Sequence, residues 1–253
     1  MKKYLLSALI GANLFSLSAS ANAQTQTCPI DVQNDIHIVG KTVEVYQNGK
    51  PIWQIDDEYQ LFVNGEKVDL TALQQEAVEA YSLHVQSELP KLPELTQKGA
   101  ELAHSAINAL GQAFGETEAF ASVNQLINEY STKAKAKFYQ DGEFVMPADT
   151  FSVMDKDWRQ EFEAAMDNVS LASASAIFSA LTNEMKKGEL SFGDFKGKMS
   201  ELEKTLNNDF KANTEQVKKE AESVCGSMQS LAQEEKALHE MIPELKNYPM
   251  FEI

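Results

Sequence analysis

Cysteine is scarce: the 253-residue chain has two. A disulfide-dense miniprotein and a four-cysteine zinc site are both excluded. Glycine (12) and proline (7) are too few for a fibrous or low-complexity chain. Basic residues are also short, 22 against 38 acidic, for a net charge of −16. That removes the usual electrostatic route to nucleic acid. No long apolar run occurs after the first twenty residues. The longest candidate, Val169 to Leu181, is 13 residues full of Ser and Ala, well short of the roughly 20 needed to span a bilayer. Hydrophobic residues still make up 43% of the chain, enough for a packed core rather than disorder.

The first residues carry an address. Lys2 and Lys3 precede an uncharged apolar stretch, Tyr4 to Leu17, and Ala21-Asn22-Ala23 forms a small-residue cleavage pattern. These are the three parts of a secretory signal peptide, 1–23. Thr25-Gln26-Thr27-Cys28 does not read as a lipoprotein box. Cleavage leaves 230 residues with 20 basic and 38 acidic side chains, a charge of −18. The simple Lys-Lys signal fits a bacterial periplasm. In such an oxidising compartment an even cysteine count reads as a disulfide, here Cys28 to Cys225. A reactive thiol would need a C-x-x-C or a His partner, and neither cysteine has one in sequence.

The mature chain divides by hydrophobic period. From Ile36 to Val68 apolar residues alternate with polar ones, punctuated by Asn48-Gly49 and Asn64-Gly65. Asn-Gly between β-branched runs is a strong hairpin signal, because both turn residues must take positive φ. An antiparallel meander of four or five short strands is predicted, which needs something to pack against. The period then turns helical. Asp69 or Thr71 is the expected N-cap of a helix carrying Leu73, Ala77, Tyr81 and Val85. Pro90 and Pro93 end it. A second helix is expected over Glu94 to Ala113 and a third over Thr117 to Tyr139, stopped by Asp141-Gly142. Glu143 to Met154 reads as extended or turning.

Two long stripes follow, Asp155 to Lys187 and Asp194 to Met241, joined through Gly188 and Gly193. They predict a long antiparallel helical hairpin, with Asn207, Asn208 and Asn213 weakening the second arm. Counting back from a fold near Leu190 places Cys225 opposite Asp155, beside Trp158, so the disulfide would staple the hairpin's base. Phe192 and Phe195 at the tip are then the expected partner contact. An apolar tail, Tyr248 to Ile253, closes the chain. The expected class is α+β, mostly α: a signal peptide at 1–23, a β-meander segment at 24–70 and a helical body at 71–253.

The block Asn48-Gly49-Lys50-Pro51-Ile52, Asp56-Asp57 and Leu61-Phe62-Val63-Asn64-Gly65-Glu66-Lys67-Val68-Asp69-Leu70-Thr71, with Gln74-Gln75 and Tyr81, resembles the YggN-like family of uncharacterised exported gammaproteobacterial proteins. The resemblance covers about 35 residues. It implies a periplasmic protein with an amino-terminal β segment and a helical body, and it supplies no catalytic residues.

No catalytic motif stands out. The four histidines, His37, His84, His104 and His239, form no H-E-x-x-H, and no G-x-S-x-G occurs. His84 and His104 lie on consecutive helices, so a zinc or copper site with Glu88 or Glu101 is conceivable. Two histidines at free spacing are met by chance, and no metal or cofactor is expected. Asp56-Asp57-Glu58 lacks the ligand spacing of a calcium loop and reads as a solvated turn. Three functions remain in view. A non-enzymatic binding or chaperone-like protein would offer helical grooves to periplasmic protein or peptide segments. A cell-envelope hydrolase would use Asp or Glu in a sheet–helix cleft, marked by a carboxylate–His cluster with displaced pKa values. The third is a purely structural envelope protein.

Overall fold

The computed structural model describes residues 28–114, 118–153, 164, 191–205 and 211–252. The signal segment, the arm Asp155–Lys187 with Trp158, and the hairpin register built on it lie outside those residues, Ala164 apart.

The expected meander is present with five strands. Strands β2 (Asp35–Val39), β3 (Thr42–Gln47), β4 (Lys50–Ile55), β5 (Leu61–Val63) and β6 (Glu66–Lys67) pair in sequence order, each antiparallel to the next. Both Asn-Gly turns take the geometry their chemistry allows: φ is 52° at Asn48 and 72° at Gly49, then 51° at Asn64 and 81° at Gly65. Positive φ at both central residues matches the strand twist. A register shift at Val45/Tyr46 faces Pro51, where proline has no N–H to give the ladder.

Asp141-Gly142 does more than stop a helix. With φ of 52° and 88° it turns a third hairpin, β7 (Tyr139–Gln140) and β8 (Glu143–Met146). Strand β8 pairs antiparallel with β2, so among the described residues the sheet has seven strands in the order β6-β5-β4-β3-β2-β8-β7. The apolar tail also ends in a strand. Residues Phe251–Glu252, β9, pair with Asp31–Val32, β1, joining both ends of the described chain.

Helix α1 (Ala72–Glu88) begins at Thr71, whose hydroxyl accepts from the Gln74 N–H while the Gln74 side chain accepts from the Thr71 N–H. This reciprocal box satisfies donors the first turn leaves open. Helix α2 (Lys91–Phe114) starts three residues before the predicted Glu94. Pro93 sits in its first turn, where a missing N–H costs nothing. Then come α3 (Glu118–Phe138), a single turn α4 (Thr150–Val153), α5 (Phe192–Thr205) and α6 (Lys211–Met241), with a 3-10 turn at Pro243–Leu245.

One sheet face supplies the core. Ile36, Ile38, Val43, Val45, Ile55 and Leu61 are buried in one cluster with Val78, Tyr81, Val85 and Leu89 of α1 and Met228, Leu231 and Leu238 of α6. Helix α6 lies along α1 and α2, while α2 and α3 pack on each other and α5 packs on α2. The disulfide joins Cys28 to Cys225 on α6, with Cα atoms 5.6 Å apart and a sequence separation of 197. It ties the segment just ahead of β1 to the middle of α6. Among the described residues no helix is long and apolar enough to cross a membrane.

Candidate functional site

An open groove of about 580 Å³ runs between α2 and α3. Helix α2 contributes Glu94, Gln97, Glu101 and His104; helix α3 contributes Asn128, Ser131, Thr132 and Lys135; Tyr139 closes one end. It forms because α3 turns Phe120, Val123, Ile127, Tyr130, Ala134 and Phe138 inward at spacings of three and four, leaving its polar residues along the rim.

His104 is fixed in the groove wall. Its Nδ1 lies 2.8 Å from Asn124 Oδ1 and its Nε2 lies 2.9 Å from Asn128 Oδ1. A neutral imidazole has one donor and one acceptor, so one of these amides must present its NH2 unless the ring is cationic. Either way both ring nitrogens are taken. The wall therefore offers a partner fixed hydrogen-bonding groups rather than an unengaged base.

The other sequence candidates disperse. His84 does not approach His104; its Nδ1 pairs with Glu234 of α6 at 2.8 Å. His37 lies against the Tyr46 ring, with centroids 4.4 Å apart. Asp56 accepts the backbone N–H groups of Glu58 and Gln60, which makes that acidic run a self-capped turn. Among the described residues no cluster of three or more His, Cys, Asp or Glu is placed to hold a metal. The backbone of Phe192 and Phe195 belongs to α5; their side chains lie outside the described part.

Sequence reasoning missed a second constellation. Glu235 is buried, 3% exposed, beneath the carboxy-terminal segment. Its Oε1 accepts from the Met250 N–H at 2.5 Å and its Oε2 from the Phe251 N–H at 3.0 Å. Burial raises its pKa to about 7 despite those two bonds, which pull it down. His239, one turn on, places Nε2 3.7 Å from Glu235 Oε1. Burial, then Lys246, lowers the His239 pKa. The Tyr81 hydroxyl, donating to Met250 Sδ at 3.5 Å, is driven well above its usual pKa by burial and then by Glu235 and Glu234. A signal was in the sequence: Glu235 falls between Leu231 and Leu238 on the stripe that continues to Ile242. A carboxylate at a core position of an amphipathic helix calls for a buried partner.

The molecule is thus an α+β protein of mostly helical content, with a tail-clamped sheet core and a polar groove between two helices. Residues 28–251 match the family described as "Protein of unknown function (DUF2884)", and the chain belongs to that family. No curated protein and no solved structure matches it.

Proposed function

We propose that this is an exported protein of the periplasm, cleaved after Ala23, that works by binding rather than catalysis. The reading joins the family to the YggN-like exported proteins of gammaproteobacteria. The α2–α3 groove carries it. Its walls present amide, hydroxyl, carboxylate and ammonium groups from two helices, and the groove histidine is held on both sides. Such a surface suits a polar peptide segment of a periplasmic partner. Phe192 and Phe195, at the start of the helix that packs on α2, are the proposed apolar part of the same partner surface. The −18 charge of the mature chain keeps it soluble.

The test is in-cell photocrosslinking from Gln97 and Thr132 in the groove, with Glu66 on the far sheet edge as control. One defined adduct from both groove positions, absent from Glu66, whose purified partner then binds the isolated protein, is the expected result. No adduct, together with no suppression of client aggregation in light scattering, would sink the reading. A hydrolase working in the sheet–helix cleft is less well supported. The carboxylate there with a raised pKa is Glu235, and both its oxygens are occupied by backbone N–H groups under the tail.

A further inference from the structure

The carboxy-terminal segment is seated as a bound peptide would be. From Tyr248 to the Phe251 N–H, every backbone polar group has a partner, and most partners come from outside a regular ladder. The Tyr248 N–H donates to Leu245 O. The Trp53 indole donates to Tyr248 O at 3.0 Å, and the Asn34 side chain donates to Pro249 O at 2.7 Å. The Gln33 N–H donates to Met250 O at 2.8 Å. The N–H groups of Met250 and Phe251 both donate to the single carboxylate of Glu235. Met250 is fully buried and Phe251 nearly so.

That carboxylate is badly placed to be an anion. The group within ion-pair distance of it among the described residues is His239, whose buried Nε2 has no hydrogen-bond partner and lies 3.7 Å from Oε1. From the other elements packed around the pair, α1 brings Tyr81 to Glu235 and the residue after the 3-10 turn, Lys246, faces His239, while Glu252 of β9 is exposed and accepts from Gln33. On α6 itself, Glu234 is committed to His84 and Ser230. One proton added to the Glu235–His239 pair cancels the buried charge and gives the orphaned nitrogen a partner.

We propose that the carboxy-terminal segment is a strap governed by that proton: it stays seated while Glu235 and His239 hold one proton between them, and it lifts from β1 when the proton passes to a solvent base. Lifting returns the Glu235 carboxylate to water, where an anion is cheaply solvated. It also uncovers the β1 edge, the Trp53 and Asn34 donors and the slot under Met250 and Phe251. The burial that raises Glu235 and lowers His239 sets the crossover near neutrality. The seated state binds the proton more tightly than the lifted one, so acid favours closure and mild alkali favours release. The strap is independent of the α2–α3 groove.

Amide hydrogen exchange on the full-length, disulfide-bonded protein tests this at pH 6.0 and 8.5, after correction for intrinsic exchange. Protection at Met250 and Phe251 is expected to fall about 10-fold at the higher pH, while Val45 and Leu231 keep theirs. Glu235→Gln, neutral at both pH values and still able to accept one N–H and donate to His239, should abolish the difference. Unchanged tail protection in the wild type, an equal fall at Val45 and Leu231, or the same fall in Glu235→Gln would each overturn the proposal. The wild-type comparison decides alone if the variant does not fold.

Discussion

Helices α1 and α2 are neighbours in sequence, and both carry an apolar stripe at helical spacing, yet they end at different depths. Val78, Tyr81, Val85 and Leu89 of and just after α1 are buried against the sheet and α6. Leu95, Leu102, Ile107 and Leu110 of α2 are only half-buried, and α2 faces α3 across an open polar groove. Periodicity selects which face of a helix turns inward; it does not decide how much matter waits on that side. The sheet supplies α1 with a broad apolar surface, whereas α2 meets other helices, whose contacts leave room for polar walls. The dry region holds the fold and the buried carboxylate. The wet region holds the candidate binding surface.

The largest expected effect breaks the dry region from outside. Cys28→Ser with Cys225→Ser removes a crosslink between residues 197 apart in sequence, worth at most about 5 kcal/mol in the chain-entropy account; urea denaturation of the oxidised protein and the double variant measures it. Next, Leu231→Ala empties a fully buried core position and should cost about 2–5 kcal/mol. Leu102→Ala on half-buried α2 should cost clearly less in the same assay. Equal losses would erase the contrast between the two helices.

A smaller effect depends on pH. Glu235 has a folded pKa of about 7, above its unfolded value, so its contribution is fully present below about pH 4.5 and lost as pH rises through 7. A shift of that size corresponds to about 3 kcal/mol. His239 works oppositely: its pKa is lowered, so its contribution is present above about 6.5 and lost in acid. Denaturation between pH 5 and 8 should therefore show stability falling with pH in the wild type and a weaker fall in Glu235→Gln. Smallest of all, His104→Ala at the groove wall should change stability by no more than about 1 kcal/mol, since its bonds to Asn124 and Asn128 are partly solvated. The same substitution should weaken capture by the groove crosslinkers.

Local chemistry explains where sequence reading reached and where it stopped. The Asn-Gly turns, the Thr71 cap and the helix ends at Glu88 and Phe138 follow from residues within a few positions of each other, and all stand where expected or within a residue or two. Asp141-Gly142 was equally readable as a hairpin turn, but the strands it joins are two and four residues long, too short to show a period. The pairing of β8 with β2 bridges over a hundred residues, and no local pattern encodes it. Glu235 stands at a core position of its stripe, between Leu231 and Leu238, but the partners of its carboxylate, the Met250 and Phe251 N–H groups, come from the tail folded over it, which the helical spacing does not encode.

Two readings therefore came from the sequence alone: an α+β chain of mostly helical content, and a disulfide between its only two cysteines. Each depends on short-range backbone preference or on simple counting, which survive any tertiary arrangement. Tertiary structure decided the seven-strand sheet order, the separation of His84 from His104 and the sealing of Glu235 beneath Met250 and Phe251. Those outcomes turn on burial and on contacts between residues far apart in the chain. The free energy of a carboxylate is set by what surrounds it in space, and its sequence neighbours specify only part of that surrounding.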